Sequence, residues 1–71
     1  PSGFGNEVIE AFGLKPGRII GDIKDYLEEE MLDGSVAMEL ASSNYIDYLR
    51  AQMPSFLEDA IDAAGNHGES Q

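Results

Sequence analysis

Apolar residues in this chain recur at intervals of three and four rather than two. Ile19, Ile20, Ile23, Leu27 and Met31 form the longest such series, flanked by Tyr26. That spacing puts them on one face of an α-helix. It predicts a helix from about Pro16 or Gly17 to Asp33, with Gly34 ending it in a left-handed turn. Val8, Ile9 and Phe12 predict a shorter helix over 7–12, capped by Asn6 and stopped by Gly13. A third helix is expected between Val36 and Gln52, clearest after Ser42-Ser43. Its stripe is Tyr45, Tyr48, Leu49, Gln52 and Met53, with Ile46 beside it. Pro54 lacks an amide hydrogen and disfavours a helical Met53, so a break is expected there. Ser55 is a candidate cap for a fourth helix over 56–64, striped by Phe56, Leu57, Ala60, Ile61 and Ala64 and ended by Gly65. No stretch alternates in the manner of a half-buried strand, and no segment repeats. The expected fold is all-α, a small cluster of three to four amphipathic helices with no sheet.

Seventy-one residues allow one domain, near the lower limit of what folds without disulfides or metals. Residues 1–5 are expected to be a loop or a cloning remnant, 6–64 the helical domain, and 65–71 a flexible tail. A hydrophobic content of 42% is enough for a modest core. There is no cysteine, which excludes a disulfide framework and thiolate metal ligation. No apolar run approaches the ~20 residues of a membrane-spanning helix, and no signal sequence is evident. The first residue is proline rather than methionine, so the chain is expected to be a piece of a longer, cytoplasmic protein.

Fourteen acidic residues face four basic ones, giving a net charge of −10. Such a surface repels phosphate backbones and anionic membranes on average. Any contact with RNA therefore has to be local. Three of the four basic residues, Lys15, Arg18 and Lys24, fall in or just after the punctuated stretch Gly13-Leu14-Lys15-Pro16-Gly17-Arg18-Ile19-Ile20-Gly21. Gly13 can end one helix and Pro16 can start the next. Gly17 and Gly21, four apart, would leave one helix face bare for a close approach.

The pattern Gly-Leu-Lys-Pro-Gly-x-x-x-Gly, followed by Ile23, Leu27 and Leu32-Asp33-Gly34, resembles the C-terminal region of bacterial class II CCA-adding enzymes and related poly(A) polymerases, the tRNA nucleotidyltransferases. Gly5-Asn6-Glu7-Val8-Ile9 resembles the short helix before that turn in the family. The resemblance spans residues 5–36, about half the chain. Arg18 stands where family members commonly carry a proline or small residue, and Glu28-Glu29-Glu30 is the heavier acidic run. The resemblance implies a C-terminal domain that helps position tRNA beside the rest of a parent enzyme. In that family Mg2+, CTP and ATP belong to a separate N-terminal domain, marked by Gly-Ser followed by an Asp-x-Asp pair. No Asp-x-Asp occurs here, so no catalytic residue and no cofactor are expected in this chain.

The candidate RNA-binding residues are Lys15, Gly17, Arg18 and Lys24, with Gly13, Pro16, Gly21 and Gly34 as structural turn residues. A helix N-terminus offers unpaired amide hydrogens and about half a positive charge to a phosphate. The plain alternative is that Pro16 and Gly17 only start a helix and Gly21 only eases packing. Glu28, Glu29, Glu30 and Asp33 point in different directions round a helix and read as a solvated face rather than a metal site. His67, the single histidine, sits in the expected tail without a partner. Tyr26, Tyr45 and Tyr48 could stack on bases or sit at the edge of the core. Ser42 and Ser43 lack an activating base. A reading of a different class makes the chain a helical protein-interaction or oligomerisation module, docking through the 56–61 stripe.

Overall fold

The computed structural model describes residues 3–65; His67 and the expected tail beyond Gly65 lie outside the described residues. It holds four helices, α1 (Phe4–Phe12), α2 (Arg18–Leu32), α3 (Ser42–Gln52) and α4 (Ser55–Gly65), and no strand among the described residues. The all-α fold expected from the periodicity is the fold observed. No helix among the described residues is long and apolar enough to cross a membrane.

Each connection follows from local chemistry. Gly13 adopts the left-handed conformation (φ 68°), and the Leu14 amide donates to the Ile9 carbonyl at 3.0 Å. This six-to-one bond closes α1, and the apolar residue after the glycine drops into the core. Leu14 is buried there. The end of α2 repeats the device. Gly34 has φ 85°, and the Ser35 amide donates to the Glu30 carbonyl at 2.9 Å. At the predicted break, Met53 is left-handed (φ 41°) and ends α3. The Pro54 carbonyl then accepts from the Leu57 and Glu58 amides, each at 3.0 Å. Pro54 thus opens α4, and Ser55 is its first residue rather than its cap.

Helices of nine to eleven residues are marginal alone, so packing has to hold them. Val8, Leu14, Ile23, Leu27, Tyr45, Ile46, Leu49 and Leu57 form one buried cluster drawn from all four helices and the α1–α2 turn. α1 packs on both α2 and α3, and α4 packs on α2. Rings pin two of these contacts edge-to-face, Phe4 on Tyr45 at 6.4 Å and Tyr26 on Phe56 at 5.8 Å.

Two expectations change here. α1 begins at Phe4 rather than after Asn6, and no side chain caps it, so residues 4 and 5 are helical and not loop. The close-approach glycine is also a different one. Open space surrounds Gly21, whereas a methyl placed on Gly5 would sit 3.3 Å from Ile20 Cγ2. α1 and α2 come together over Gly5, and the missing side chain there lets Ile20 in.

Candidate nucleic-acid interface

The basic turn is built from the end of α1 and the start of α2. Buried Leu14 anchors its first half, leaving Lys15, Pro16, Gly17 and Arg18 exposed. Gly17 has φ 148° and ψ −148°, a conformation open to glycine, and no side chain caps the α2 N-terminus behind it. The Ile20 amide turns back to the Gly17 carbonyl at 3.2 Å. A 15-residue helix therefore starts at Gly17 with its positive end uncapped, and Lys15 and Arg18 are the cationic residues on either side of that glycine in sequence.

Arg18 reaches one turn along to Asp22, with Nε and Oδ1 3.8 Å apart. Its side chain is 90% exposed, so the pair is weak and salt-screened, and the guanidinium is free to change partner. Lys15 borders a shallow depression with Leu14, Ile19, Ala60 and Ala63. Lys24 does not join them. Six positions beyond Arg18 on the same helix, it is displaced by ~9 Å along the axis and by roughly 240° around it. It lines a different groove, with Phe4 and Tyr45. The candidate cluster of Lys15, Gly17, Arg18 and Lys24 thus divides into a turn that holds the first three and a separate place for Lys24. The fourth basic residue, Arg50, lies over the Phe12 ring at 5.1 Å, a cation–π contact that ties α3 to the end of α1.

The remaining candidates are engaged within the fold. Tyr45 is buried, and its hydroxyl donates to the Ala37 carbonyl at 2.8 Å while accepting from the Leu40 amide at 3.2 Å. The Tyr48 hydroxyl donates to Glu30 Oε1 at 2.6 Å. Tyr26 stacks edge-on against Phe56, and burial, together with the charges of Glu30 and Asp33, raises its phenol above the ordinary value. Asp33 accepts from the Ser35 amide at 2.9 Å, and the Ser35 hydrogen bonds hold its carboxyl below the usual range. Ser42 and Ser43 open α3 with no histidine among the described residues. No three acidic or histidine side chains converge as a metal site among those residues.

The sequence reading missed three contributors: Leu14, Phe4 and Leu40. The signal for Leu14 was present, because an apolar residue directly after a helix-ending glycine packs back onto the helix. Comparison of the chain with protein-family models, curated proteins and solved structures found no match.

Proposed function

We propose that this chain is a tRNA-positioning domain, similar to the C-terminal region of a CCA-adding enzyme or poly(A) polymerase, and that it acts beside a separate catalytic domain. The observation that carries this reading is the uncapped N-terminus of α2, flanked in sequence by exposed Lys15 and Arg18. In a chain with only four basic residues, two stand where cations oppose the helix dipole, and an anion held at the turn would compensate them. A tRNA backbone phosphate is the anion the reading assigns. Lys24, on a different face of α2, is left out of the contact. The domain adds no nucleotide itself, since it lacks the Asp-x-Asp pair of that family. Mg2+, CTP and ATP are assigned to the partner domain.

The alternative is an interaction module docking through the 56–61 stripe. Leu57 is fully buried, and Phe56, Ala60 and Ile61, each half-buried, pack against the same core, so that stripe is shared between the core and the surface.

The test is a double substitution, Lys15→Ser with Arg18→Ser, in the protein that carries this domain. tRNA affinity is expected to fall, and the slope of log affinity against log salt to flatten by up to about one unit per lost phosphate contact. An unchanged affinity and slope reduce the turn to a helix start.

A further inference from the structure

Of the aspartates in the chain, Asp33 alone is followed by glycine. That pair is the one most open to a reaction of the backbone on itself. The Gly34 nitrogen attacks the Asp33 carboxyl carbon, a C–N bond forms, and the carboxyl hydroxyl leaves with the amide hydrogen as water. The product is a five-membered cyclic imide. Water then opens the ring at either carbonyl. One opening restores aspartate; the other leaves isoaspartate, with the main chain routed through the Asp33 Cβ. Glycine has no side chain to block its own nitrogen and bends freely into the ring.

Water reaches this pair, since Asp33 and Gly34 are both exposed. Conformation is what opposes the reaction. Asp33 has ψ 2°, so the Gly34 nitrogen eclipses the amide nitrogen of Asp33 and stands roughly a third of a turn from Cβ. Ring closure requires it beside Cβ. The Gly34 amide is also engaged, donating to the Met31 carbonyl at 3.1 Å. The Asp33 carboxylate turns back to accept from the Ser35 amide at 2.9 Å, and hydrogen bonds from Ser35 keep it ionised to lower pH than usual. An ionised carboxylate has no hydroxyl to lose as water. The Ser35 and Val36 amides close the helix end on the Glu30 carbonyl, at 2.9 and 3.3 Å, and Tyr48 of α3 holds the Glu30 side chain.

We propose that Asp33–Gly34 is an isoaspartate-forming site that the native end of α2 keeps shut and that reacts when this turn opens. Helix ends fray, so the pair records such openings one molecule at a time. The mark changes the fold locally. Isoaspartate adds one atom to the main chain between residues 33 and 34. The bonds from Gly34 to Met31 and from Ser35 to Glu30 then lose their register, and a modified chain cannot re-form this helix end. The site does not rest on the RNA reading, whose residues lie at the other end of α2.

The experiment incubates the full chain and a synthetic peptide of residues 28–38 in the same mildly acidic buffer, below the melting temperature of the chain. Isoaspartate is counted by enzymatic methyl transfer from labelled S-adenosylmethionine and assigned to a residue by peptide mapping. The peptide is expected to accumulate it at Asp33 about tenfold or more faster than the chain. Asp33→Asn separates conformation from ionisation, because the same ring closure then expels ammonia from a neutral amide. That variant chain should also react more slowly than its own peptide. Parent chains carrying isoaspartate at residue 33, purified and returned to native buffer, should exchange the Ser35 and Val36 amide hydrogens faster than unmodified chains. Equal rates in chain and peptide, for the parent or for Asp33→Asn, overturn the proposal. So does a peptide that forms no isoaspartate, or a modified chain whose exchange is unchanged.

Discussion

The Tyr48 hydroxyl on α3 donates a 2.6 Å hydrogen bond to Glu30 Oε1 near the end of α2. It joins two helices across the whole connecting segment. The short distance is typical of a hydroxyl donating to a charged oxygen. The bond is made by the neutral phenol, and losing the proton would set two negative charges face to face.

The consequence is a specific alkaline sensitivity. The hydrogen bond to Glu30, then burial, then the Glu30 charge push the Tyr48 phenol from its ordinary value of 10.0 up to about 12. The folded state therefore binds this proton more tightly than the unfolded state. The contribution to stability is complete below pH 10.0 and is lost as pH rises toward about 12. Denaturant unfolding across that window should show the parent losing stability that Tyr48→Phe does not lose. Phenolate absorbance should show one late-titrating tyrosine missing from the variant. Parallel alkaline profiles for the two proteins would remove the bond from the account of stability.

Glycine substitutions should separate packing from propensity. Gly21 lies inside α2 with open space where a Cβ would go. Gly21→Ala is therefore expected to stabilise by about 0.5–1 kcal/mol, through helix propensity and a less flexible unfolded chain. For a domain of this size that raises Tm by several degrees. Gly5→Val should do the opposite, because a branched side chain must displace Ile20, already 3.3 Å from an added methyl. A loss of about 1–3 kcal/mol is expected from such overpacking. Thermal melts of the two variants decide it, and a stabilised Gly5→Val would mean that α1 and α2 can move apart freely.

The same pair shows what the sequence made legible. The stripe Ile19, Ile23, Leu27 and Met31 repeats over four turns and ends at a glycine, so α2 could be read almost to the residue. α1 could not. Phe4 lies one turn before Val8 and extends its stripe, but Gly3 and Gly5 argue against a helix by propensity. Only the approach of Ile20, a tertiary fact, explains Gly5. The stripe from Phe56 to Ile61 was visible as an apolar face, yet periodicity does not say whether a face meets its own chain or another. Here it meets Tyr26 and the core.

The basic residues carry a similar lesson. Adjacency in sequence grouped Lys24 with Lys15 and Arg18, whereas helical rotation separates them. The Arg18–Asp22 pair at 3.8 Å is the i,i+4 contact that spacing alone suggests. The groove beside Lys24 had no sequence signature, because it depends on where the segment between α2 and α3 runs.

That segment supplies the last prediction. Glu39 is exposed and left-handed, with φ 61°, a region that disfavours side-chain-bearing residues by roughly 1–2 kcal/mol. Glycine removes that penalty but gives back part of the gain through a more flexible unfolded chain. Glu39→Gly is therefore expected to stabilise by up to about 1 kcal/mol. Glu39→Val, β-branched and harder to hold left-handed, should destabilise by a similar amount or more. Both follow from urea midpoints at unchanged slope. Tyr45→Phe supplies the control, since it removes the two hydrogen bonds that fix Ala37 and Leu40 while keeping the buried ring. If the segment is held in this shape by that hydroxyl, the difference between the glycine and valine variants should shrink in the Tyr45→Phe background, because the backbone can then relax out of the left-handed region. A difference that persists in full would place the constraint elsewhere in the segment and leave the tyrosine as a packing residue alone.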